Sequence, residues 1–385
     1  MNHVSAKLPK TTTSIFTTMT ALAREHDAIN LSQGFPDFDA PPELFRYAHE
    51  AMQAGYNQYA PMAGLISLRE NIARKTEDLY GAVYHPETEI TITAGATQAI
   101  FTAITAVVHP NDEVIIFEPA YDCYAPAVLL AGGVIKKMEL RAPNYKIDWE
   151  LVKRLINIRT RLIIINTPHN PSGTILKQED IDALIRLTRN TDILILSDEV
   201  YGHMVFDGAP HLSMSRFPEL RERSFVVASF GKLFHATGWK TGYCLAPESL
   251  TAAFRKIHQF MVFSVFTPAQ YAMEKMLGEK GSYEGLEAFF AQKRNYFRDL
   301  LSNNTPFRLL PAEGAYFQCV DFRAVSREKD TDFVQRLIHE HRVAAIPVSV
   351  FYSGSVDDHI LRFCYAKKQE TLDEAVNRLA GINIS

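Results

Sequence analysis

Short runs of aliphatic and β-branched residues alternate with longer amphipathic stretches through the first two thirds of the chain. The runs have the length of buried strands, about 4 to 8 residues, and they occupy residues 113–117, 162–165, 193–197 and 225–229. A helical pattern of apolar positions, such as that of residues 178–188, lies between them. This alternation predicts βαβ units and therefore an α/β fold with a mainly parallel sheet.

Polar segments directly follow two of these runs, and ligands of open α/β sheets bind beyond the carboxyl ends of the strands. Asn170 lies in a turn held rigid by Pro168 and Pro171, so its side-chain amide is available to donate a hydrogen bond. Asp198 follows the run 193–197, and a carboxylate placed there needs a cation. Each feature taken alone is also typical of an ordinary turn, helix cap or metal ligand.

The most specific segment surrounds Lys232, which lies three residues after Ser229 and eight before Lys240, among small residues. A lysine so placed can form an imine with the aldehyde of pyridoxal 5′-phosphate (PLP), while Ser229 and Lys240 hold the phosphate. Asp198 would then pair with the protonated ring nitrogen, and Tyr201 and Asn170 would reach the ring hydroxyl. In isolation, the segment is also compatible with a strand end carrying a solvated lysine.

A second phosphate ligand is predicted before the helical pattern 99–108. Gly95, Ala96 and Thr97 have small side chains, so the backbone amides there are accessible, and free amides at a helix N-terminus bind anions. Such a helix start also occurs for packing alone. The chain contains neither GxGxxG nor GxxxxGK[ST], the two motifs that would indicate a nucleotide instead.

With these segments in this order, the chain resembles the class I and II aminotransferases, which belong to the fold type I PLP enzymes. The resemblance spans nearly the whole chain. It is strongest to the branch of methionine, kynurenine and glutamine–phenylpyruvate aminotransferases, through residues 30–38, 57–61, 118–124 and 361–367. It implies a large PLP-binding domain over residues 41–280, with a mainly parallel seven-stranded sheet. It also implies a smaller α+β domain formed by residues 281–385 together with the N-terminal arm, residues 1–40.

The resemblance also implies roles for single residues. Tyr121 matches the aromatic residue that stacks on the cofactor, and Tyr59 matches a tyrosine that reaches the phosphate in the partner subunit's site, which implies a homodimer. Arg362 matches the residue that binds the substrate α-carboxylate, Gly34 matches the position whose backbone approaches that carboxylate, and Asn170 matches a substrate-binding position. A planar guanidinium suits a carboxylate, and a charge in the apolar run 360–364 requires a partner. An internal salt bridge is the alternative for Arg362.

Two aromatic residues match the substrate side-chain pocket of these relatives. Phe16 belongs to an N-terminal stretch that folds over the substrate, and Phe266 belongs to a loop that lines the pocket. Lys240 stands where aspartate aminotransferases carry an arginine, and no counterpart of their second substrate-binding arginine is present. These features favour methionine or an aromatic amino acid as amino donor, with kynurenine and glutamine as further candidates.

The activity implied is a ping-pong transfer of the amino group to a 2-oxo acid, with Lys232 as the catalytic base. A cysteine-S-conjugate β-lyase is the first alternative, because it would need the same Lys232, Asp198 and Arg362. A PLP-sensing regulatory module is the second, but the chain has no spare segment for a DNA-binding domain.

Composition agrees with an enzyme of two domains acting on small molecules. The 385 residues are 47% hydrophobic, enough for a large core. A net charge of −4 without a basic block argues against nucleic acid or anionic membranes as partners. No apolar run reaches the roughly 18 residues that span a bilayer, and the polar start lacks a signal-peptide core, so we expect a cytoplasmic protein.

The cysteines and histidines do not suggest a metal site. The four cysteines are widely separated and form no CxxC motif, which predicts reduced, mostly buried thiols. The histidines show no spacing typical of metal ligands.

Overall fold

The fold was analysed in a computed structural model of the chain that describes residues 6–9, 13–279 and 281–382. Lys280, the predicted boundary between the two domains, lies outside the described residues, as do residues 1–5 of the polar start.

The helices of the described residues are α1 (Ile15–Glu25), α2 (Pro42–Gln53), α3 (Ile66–Tyr80), α4 (Ala96–Val107), α5 (Tyr124–Leu130), α6 (Trp149–Leu155), α7 (Gln178–Thr188), α8 (Pro218–Arg221), α9 (Phe230–Leu233), α10 (Glu248–Met261), α11 (Thr267–Gly278), α12 (Leu286–Asn304), α13 (Asp330–Arg336) and α14 (Gln369–Leu379). The strands are β1 (Ile29–Asn30), β2 (Ile90–Thr93), β3 (Glu113–Glu118), β4 (Val134–Glu139), β5 (Thr160–Asn166), β6 (Leu194–Asp198), β7 (Ser224–Ser229), β8 (Gly242–Leu245), β9 (Arg308–Leu309), β10 (Phe317–Asp321), β11 (Val343–Ala344), β12 (Ile346–Pro347) and β13 (Ile360–Cys364).

The large sheet has seven strands in the order β2-β8-β7-β6-β5-β3-β4. Strands β4, β3, β5, β6 and β7 run parallel to one another, and β8 is antiparallel to both of its neighbours. The prediction of a mainly parallel seven-stranded sheet is confirmed. Three of the four predicted apolar runs lie within strands, the fourth begins one residue before β6, and the helical pattern 178–188 is helix α7.

The central strands are buried on both faces, which explains why their sequences are continuous apolar runs and do not alternate. All six positions of β3 are buried. Ile115 and Phe117 pack into the core cluster on one side of the sheet, whereas Val114 and Ile116 pack into a second cluster on the other. Successive side chains of a strand point to opposite faces, so both core layers need apolar residues.

A second, antiparallel sheet has the order β12-β13-β10-β9; α12 and α13 pack against it, and α14 packs against α12. The N-terminal strand β1 pairs in parallel with β11, so the N-terminal segment packs against the C-terminal part of the chain. The domain boundaries at residues 40 and 280 stay a prediction.

Three other expectations concern the chain as a whole. Cys123, Cys244, Cys319 and Cys364 are all buried free thiols, as predicted. Within the described ranges, no helix combines the length and the apolar sequence needed to cross a bilayer. The cytoplasmic location stays a prediction.

The parallel strands end together at one edge of the large sheet. Asn166 ends β5, Asp198 ends β6 and Ser229 ends β7, and Asn166 is the register partner of Asp198. Because these strands are neighbours, three polar residues that are far apart in sequence lie side by side where ligands of such sheets bind.

Two glycines with left-handed backbone test how tightly the loop before α3 packs on this sheet. A β-carbon on Gly64 (φ +94°) would lie 2.1 Å from Cγ1 of Ile92, whereas one on Gly55 (φ +88°) would have nothing within 4 Å. Both Gly→Ala changes introduce left-handed strain of about 1–2 kcal/mol. We expect Gly64→Ala to lower the free energy of unfolding by about a further 1–3 kcal/mol, because of the overlap. Denaturant unfolding of both variants measures the difference, and equal losses would contradict it.

Candidate active site

A cavity of about 150 Å³ lies at the carboxyl edge of the large sheet. All residues predicted to contact a cofactor within one chain line it, namely Gly95, Ala96, Thr97, Tyr121, Asn170, Asp198, Tyr201, Ser229, Lys232 and Lys240. They come from six separate stretches of sequence, so only folding brings them together.

One end of the cavity is built to hold an anion. Helix α4 begins at Ala96, three residues earlier than the apolar pattern indicated, because Gly95 (φ +80°) serves as its N-cap. The first amides of a helix have no intrahelical partner. The ammonium group of Lys240 lies beside them, since a β-carbon on Gly95 would be 3.5 Å from its Nζ atom. Amides, an ammonium group and the Ser229 hydroxyl thus line the same cavity.

Asp198 carries a buried carboxyl group without a cationic partner. Tyr124 donates its hydroxyl to Oδ2 at 2.6 Å, and the Val200 amide donates to Oδ1 at 3.4 Å. Among the described residues, no basic side chain forms an ion pair with it. Burial raises the pKa of Asp198 to about 6. A protonated ring nitrogen would supply the cation that this carboxylate lacks.

The two asparagines of the site are joined by a hydrogen bond. The backbone amide of Asn170 donates to Oδ1 of Asn166 at 2.8 Å. Nδ2 of Asn166 donates to the backbone carbonyl of Asp198 at 2.9 Å. Oδ1 of Asn170 accepts from Nη1 of Arg362 at 2.7 Å. This orientation leaves the NH₂ group of Asn170 as the donor available to a ligand.

Arg362 is fully buried on β13 of the second sheet. Its Nη2 donates to the Ser32 carbonyl at 2.6 Å, its guanidinium lies 4.1 Å from the ring centre of Phe317, and its Nε has no hydrogen-bond partner. No carboxylate within the described ranges pairs with Arg362, so the alternative of an internal salt bridge is not realised. A buried guanidinium without an anion is suited to bind a substrate carboxylate.

Gly34 and Phe16 lie around this guanidinium and Lys232. The Phe16 ring is 5.4 Å from Cζ of Arg362 and 6.4 Å from the ring of Tyr121. The Gly34 carbonyl accepts a hydrogen bond from Lys232. The sequence analysis assigned Phe16 to the substrate side chain and Gly34 to its carboxylate. Phe16 lies beside Arg362, and Gly34 lies beside Lys232.

Tyr59 and Phe266 do not reach the cavity of their own chain. Tyr59 is 80% exposed and Phe266 is 57% exposed. Tyr59 contacts Phe263 edge to face, with ring centres 5.0 Å apart. Their predicted roles, at the phosphate of a partner subunit and in the side-chain pocket, stay predictions.

Lys232 is partly buried beside the rings of Tyr201 and Tyr316. Its pKa is lowered to about 8, first by burial and then by the positive charges of Arg362 and Lys240. Its Nζ donates to the Gly34 carbonyl at 2.8 Å and to the Tyr316 hydroxyl at 2.5 Å. A lysine with such a pKa is neutral in a large fraction of molecules near pH 8, as a base must be.

Sequence reasoning missed three residues of the site, Asn166, Tyr124 and Tyr316. Asn166 had a usable signal, since it directly follows the apolar run 162–165. Tyr124 and Tyr316 had none of that kind, because each contacts a partner at least 74 positions away, Asp198 and Lys232 respectively.

Comparison with known proteins gives consistent results. The sequence model of the family "Aminotransferase class I and II" matches residues 26–379. The methionine aminotransferase of Escherichia coli K12 is 50% identical over 376 residues, 97% of either chain. Kynurenine–oxoglutarate transaminase 1 of Homo sapiens is 33% identical, over 93% of each chain. A crystal structure of an Escherichia coli protein identified as a methionine aminotransferase superposes with a TM-score of 0.96 and 48% identity, covering 99% of this chain and 100% of the other.

The unpaired carboxyl of Asp198 makes stability depend on pH in the apoprotein. Its pKa is raised from 3.8 to about 6, so the protonated form stabilises the fold below pH 4 and this contribution is lost as pH rises through 6. We expect Asp198→Asn to be more stable than the wild type at pH 8, by about 3 kcal/mol. The advantage should shrink to roughly half at pH 5.

Denaturant unfolding of the apoprotein at the two pH values measures this effect. Asp192→Asn, which changes an exposed carboxylate of the same segment, is the control and should show no such advantage. An Asp198→Asn advantage that is equal at pH 5 and pH 8 would contradict the assignment.

Proposed function

We propose that this chain, which belongs to the class I and II aminotransferase family, transfers the amino group of methionine or an aromatic amino acid to a 2-oxo acid. The family predicted from the sequence is confirmed by a match over residues 26–379 and by a relative that is 50% identical. The observation that carries the substrate proposal is the buried Arg362, which lacks an anion and lies among aromatic rings beside Lys232.

Members of this family use PLP, and the residues of the cavity fit that cofactor. The Gly95 segment at the start of α4, Ser229 and Lys240 would hold the phosphate. Asp198 would pair with the ring nitrogen, the cation that its buried carboxylate lacks in the protein. The remaining contacts would be made by Tyr121 on the ring face, Tyr201 and Asn170 at the ring hydroxyl, and Lys232 at the aldehyde. When bound, PLP supplies an electron sink for the bond broken at the substrate α-carbon.

The protein's own residues then perform binding and proton transfer. Arg362 would bind the α-carboxylate through its guanidinium, with Asn170 as neighbour, and this fixes the α-carbon relative to Lys232. The neutral amine of Lys232 would take the α-proton and return it at a different carbon, as a base of pKa about 8 can do near neutral pH. The same steps in reverse would aminate the 2-oxo acid acceptor.

The apolar surroundings of Arg362 support the preference for apolar donors. Phe16, Phe317 and Phe351 all lie within 5.6 Å of its guanidinium carbon, measured to their ring centres. Of the described residues, only Lys232 and Lys240 are cationic among those that line the cofactor cavity. Methionine or phenylalanine would gain about 1.5–3 kcal/mol from burying its side chain there, whereas a second carboxylate would be left without a guanidinium.

Single amino acids added to the PLP-loaded protein, without any 2-oxo acid, test this function. We expect methionine, phenylalanine and tyrosine to convert the cofactor to its aminated form with release of one 2-oxo acid per site, and aspartate to react at least about tenfold more slowly. A tenfold ratio corresponds to about 1.4 kcal/mol, less than burial of the apolar side chain offers. Cofactor absorbance and oxo-acid release are the measurements. Lys232→Ala is the inactive control, and free ammonia as the main nitrogen product would indicate elimination instead.

We also propose a homodimer, because Tyr59 belongs to a patch of exposed aromatic residues. This aromatic patch consists of Tyr59, Phe260, Phe263 and Phe266, whose exposed fractions range from 57% to 86%. Exposed apolar side chains in a group typically mark an interaction surface. A second copy of the chain would cover the patch and receive Tyr59 in its own active site.

Mixing two inactive variants tests this arrangement. Lys232→Ala lacks the base, and Tyr59→Ala lacks the side chain that would complete the neighbouring site. A mixed dimer contains one site with both residues intact, so we expect activity to rise above the sum of the separate variants after the subunits exchange. Rates before and after mixing are compared, and size-exclusion chromatography reports the dimer. No gain from an exchanged dimer would place Tyr59 outside the partner's site.

A further inference from the structure

The free amine of Lys232 is held by two groups that lie outside the large sheet. Its Nζ donates to the Gly34 carbonyl at 2.8 Å and to the Tyr316 hydroxyl at 2.5 Å. The Tyr316 hydroxyl itself donates to the same Gly34 carbonyl. Amine, hydroxyl and carbonyl therefore form a closed triangle of hydrogen bonds.

The number of hydrogens determines how this triangle is arranged. Burial raises the pKa of Tyr316 well above its usual range, so Tyr316 keeps its single hydroxyl hydrogen. That hydrogen goes to the Gly34 carbonyl, and toward Lys232 the hydroxyl can only accept. A neutral amine has two N–H groups, and the triangle uses both of them. The lone pair of Lys232 must then point away from Gly34 and Tyr316.

We propose that Tyr316 is a positioning residue for Lys232, which with the Gly34 carbonyl turns the lone pair of the free amine toward the cavity. Lys232 lines the cavity together with Asp198 and Tyr201, whereas Gly34 and Tyr316 do not. The inference rests on the proposed function, because only a lysine that acts as a base needs a directed lone pair.

Tyr316 is held firmly enough to act in this way. It is 1% exposed, and its ring lies 5.0 Å from that of Phe317, 5.1 Å from that of Tyr201 and 5.7 Å from that of Phe290. Gly34 can approach because it has no side chain, since a β-carbon there would lie 3.1 Å from Cζ of Phe317. Packed neighbours of this kind fix the rotamer of a supporting residue.

The triangle also links Lys232 to the sheet that carries Arg362. Tyr316 directly precedes β10, and Cys319 of β10 is the register partner of Arg362 on β13. The group that would bind the substrate carboxylate and the group that directs the base therefore belong to one sheet. A movement of that sheet toward Lys232 would bring both into position together.

The charged and titratable groups around Lys232 stay the same when the Tyr316 hydroxyl is removed. Arg362 and Cys364 face it from β13, Lys240 from the loop before β8 and Asp198 from β6, and the Tyr201 ring lies 5.4 Å from its Nζ. None of these changes in Tyr316→Phe. The hydroxyl oxygen accepts from the amine and so favours the ammonium form, hence its loss should lower the pKa of Lys232 below about 8.

The pH dependence of Lys232 acylation in the apoprotein measures this pKa without any catalysis. Acetic anhydride is the reagent, and mass spectrometry quantifies the peptide that contains Lys232. We expect the midpoint for Tyr316→Phe about 0.5 to 1 pH lower than for the wild type, the size of one hydrogen bond. Tyr365→Phe is the matched control, because it removes another buried hydroxyl of the same region, bonded to the Ala315 carbonyl at 3.0 Å.

The result that would overturn the proposal is a midpoint for Tyr316→Phe equal to that for Tyr365→Phe, in proteins with equal circular dichroism and melting curves. This measurement does not depend on transamination. Failure of the wild type to react with any amino acid would therefore refute the proposed function separately, while the contact between Tyr316 and Lys232 would still be tested.

Kinetics of the PLP-loaded protein with α-deuterated methionine give the second test. We expect Tyr316→Phe to lower kcat about tenfold, as for the loss of one hydrogen bond in the transition state, and to increase the isotope effect on kcat. KM for methionine should change less than about twofold, because Arg362 still binds the carboxylate. An unchanged kcat and isotope effect with a raised KM would show that Tyr316 serves binding only.

Discussion

Three chargeable groups that form no ion pair within the described residues organise this structure. Asp198 and Arg362 are buried and Lys232 is partly buried, and an unpaired charge is costly away from water. Burial shifts the pKa of each toward its neutral form. Uncharged groups of the protein form some of the hydrogen bonds that these three side chains can make. Other hydrogen-bonding positions, such as Nε of Arg362, have no partner. Under the proposed function, Asp198 would pair with the ring nitrogen of the cofactor, the neutral amine of Lys232 would form an imine with its aldehyde, and Arg362 would bind the substrate carboxylate. Perturbed pKa values in one cleft are typical of functional sites.

The same arrangement explains why two sheets are needed. The large parallel sheet brings Asn166, Asp198 and Ser229 to one edge through its register. The second sheet contributes Arg362 from β13 and Tyr316 next to β10. Under the proposed function, cofactor chemistry and substrate recognition would therefore be supported by different sheets, which the hydrogen bonds of Lys232 and Asn170 connect.

The likeness to an Escherichia coli methionine aminotransferase, 50% identical, agrees with the apolar surroundings of Arg362. Phe16, Phe317 and Phe351 pack around a guanidinium that already has neutral partners on two of its nitrogens. Under the proposed function, such a site would recognise the carboxylate common to all amino acids and leave discrimination to the burial of apolar side chains. Burial discriminates weakly between apolar groups of similar size, so several apolar donors would be accepted.

The sequence alone was sufficient for four strands of the large sheet, for helix α7 and for the family. Strands buried on both faces produce continuous apolar runs, which can be recognised in the sequence. The lysine segment, the asparagine turn and Asp198 can be recognised as well, because each is a short pattern of neighbouring residues. The same pattern reading placed the start of α4 near residue 99, while the Gly95 cap placed it at Ala96. A cap depends on backbone angles more than on hydrophobicity, which explains the difference of three residues.

The tertiary structure alone decided how these residues act on one another. Lys232 binds Gly34 and Tyr316 across 198 and 84 positions of sequence, and no local pattern encodes such pairs. Burial is the first cause of the lowered pKa of Lys232, and burial exists only in the packed molecule. Hydrophobic periodicity indicates which side of a helix or strand faces the core. Which residues contact one another there depends on how the large sheet and the second sheet pack together.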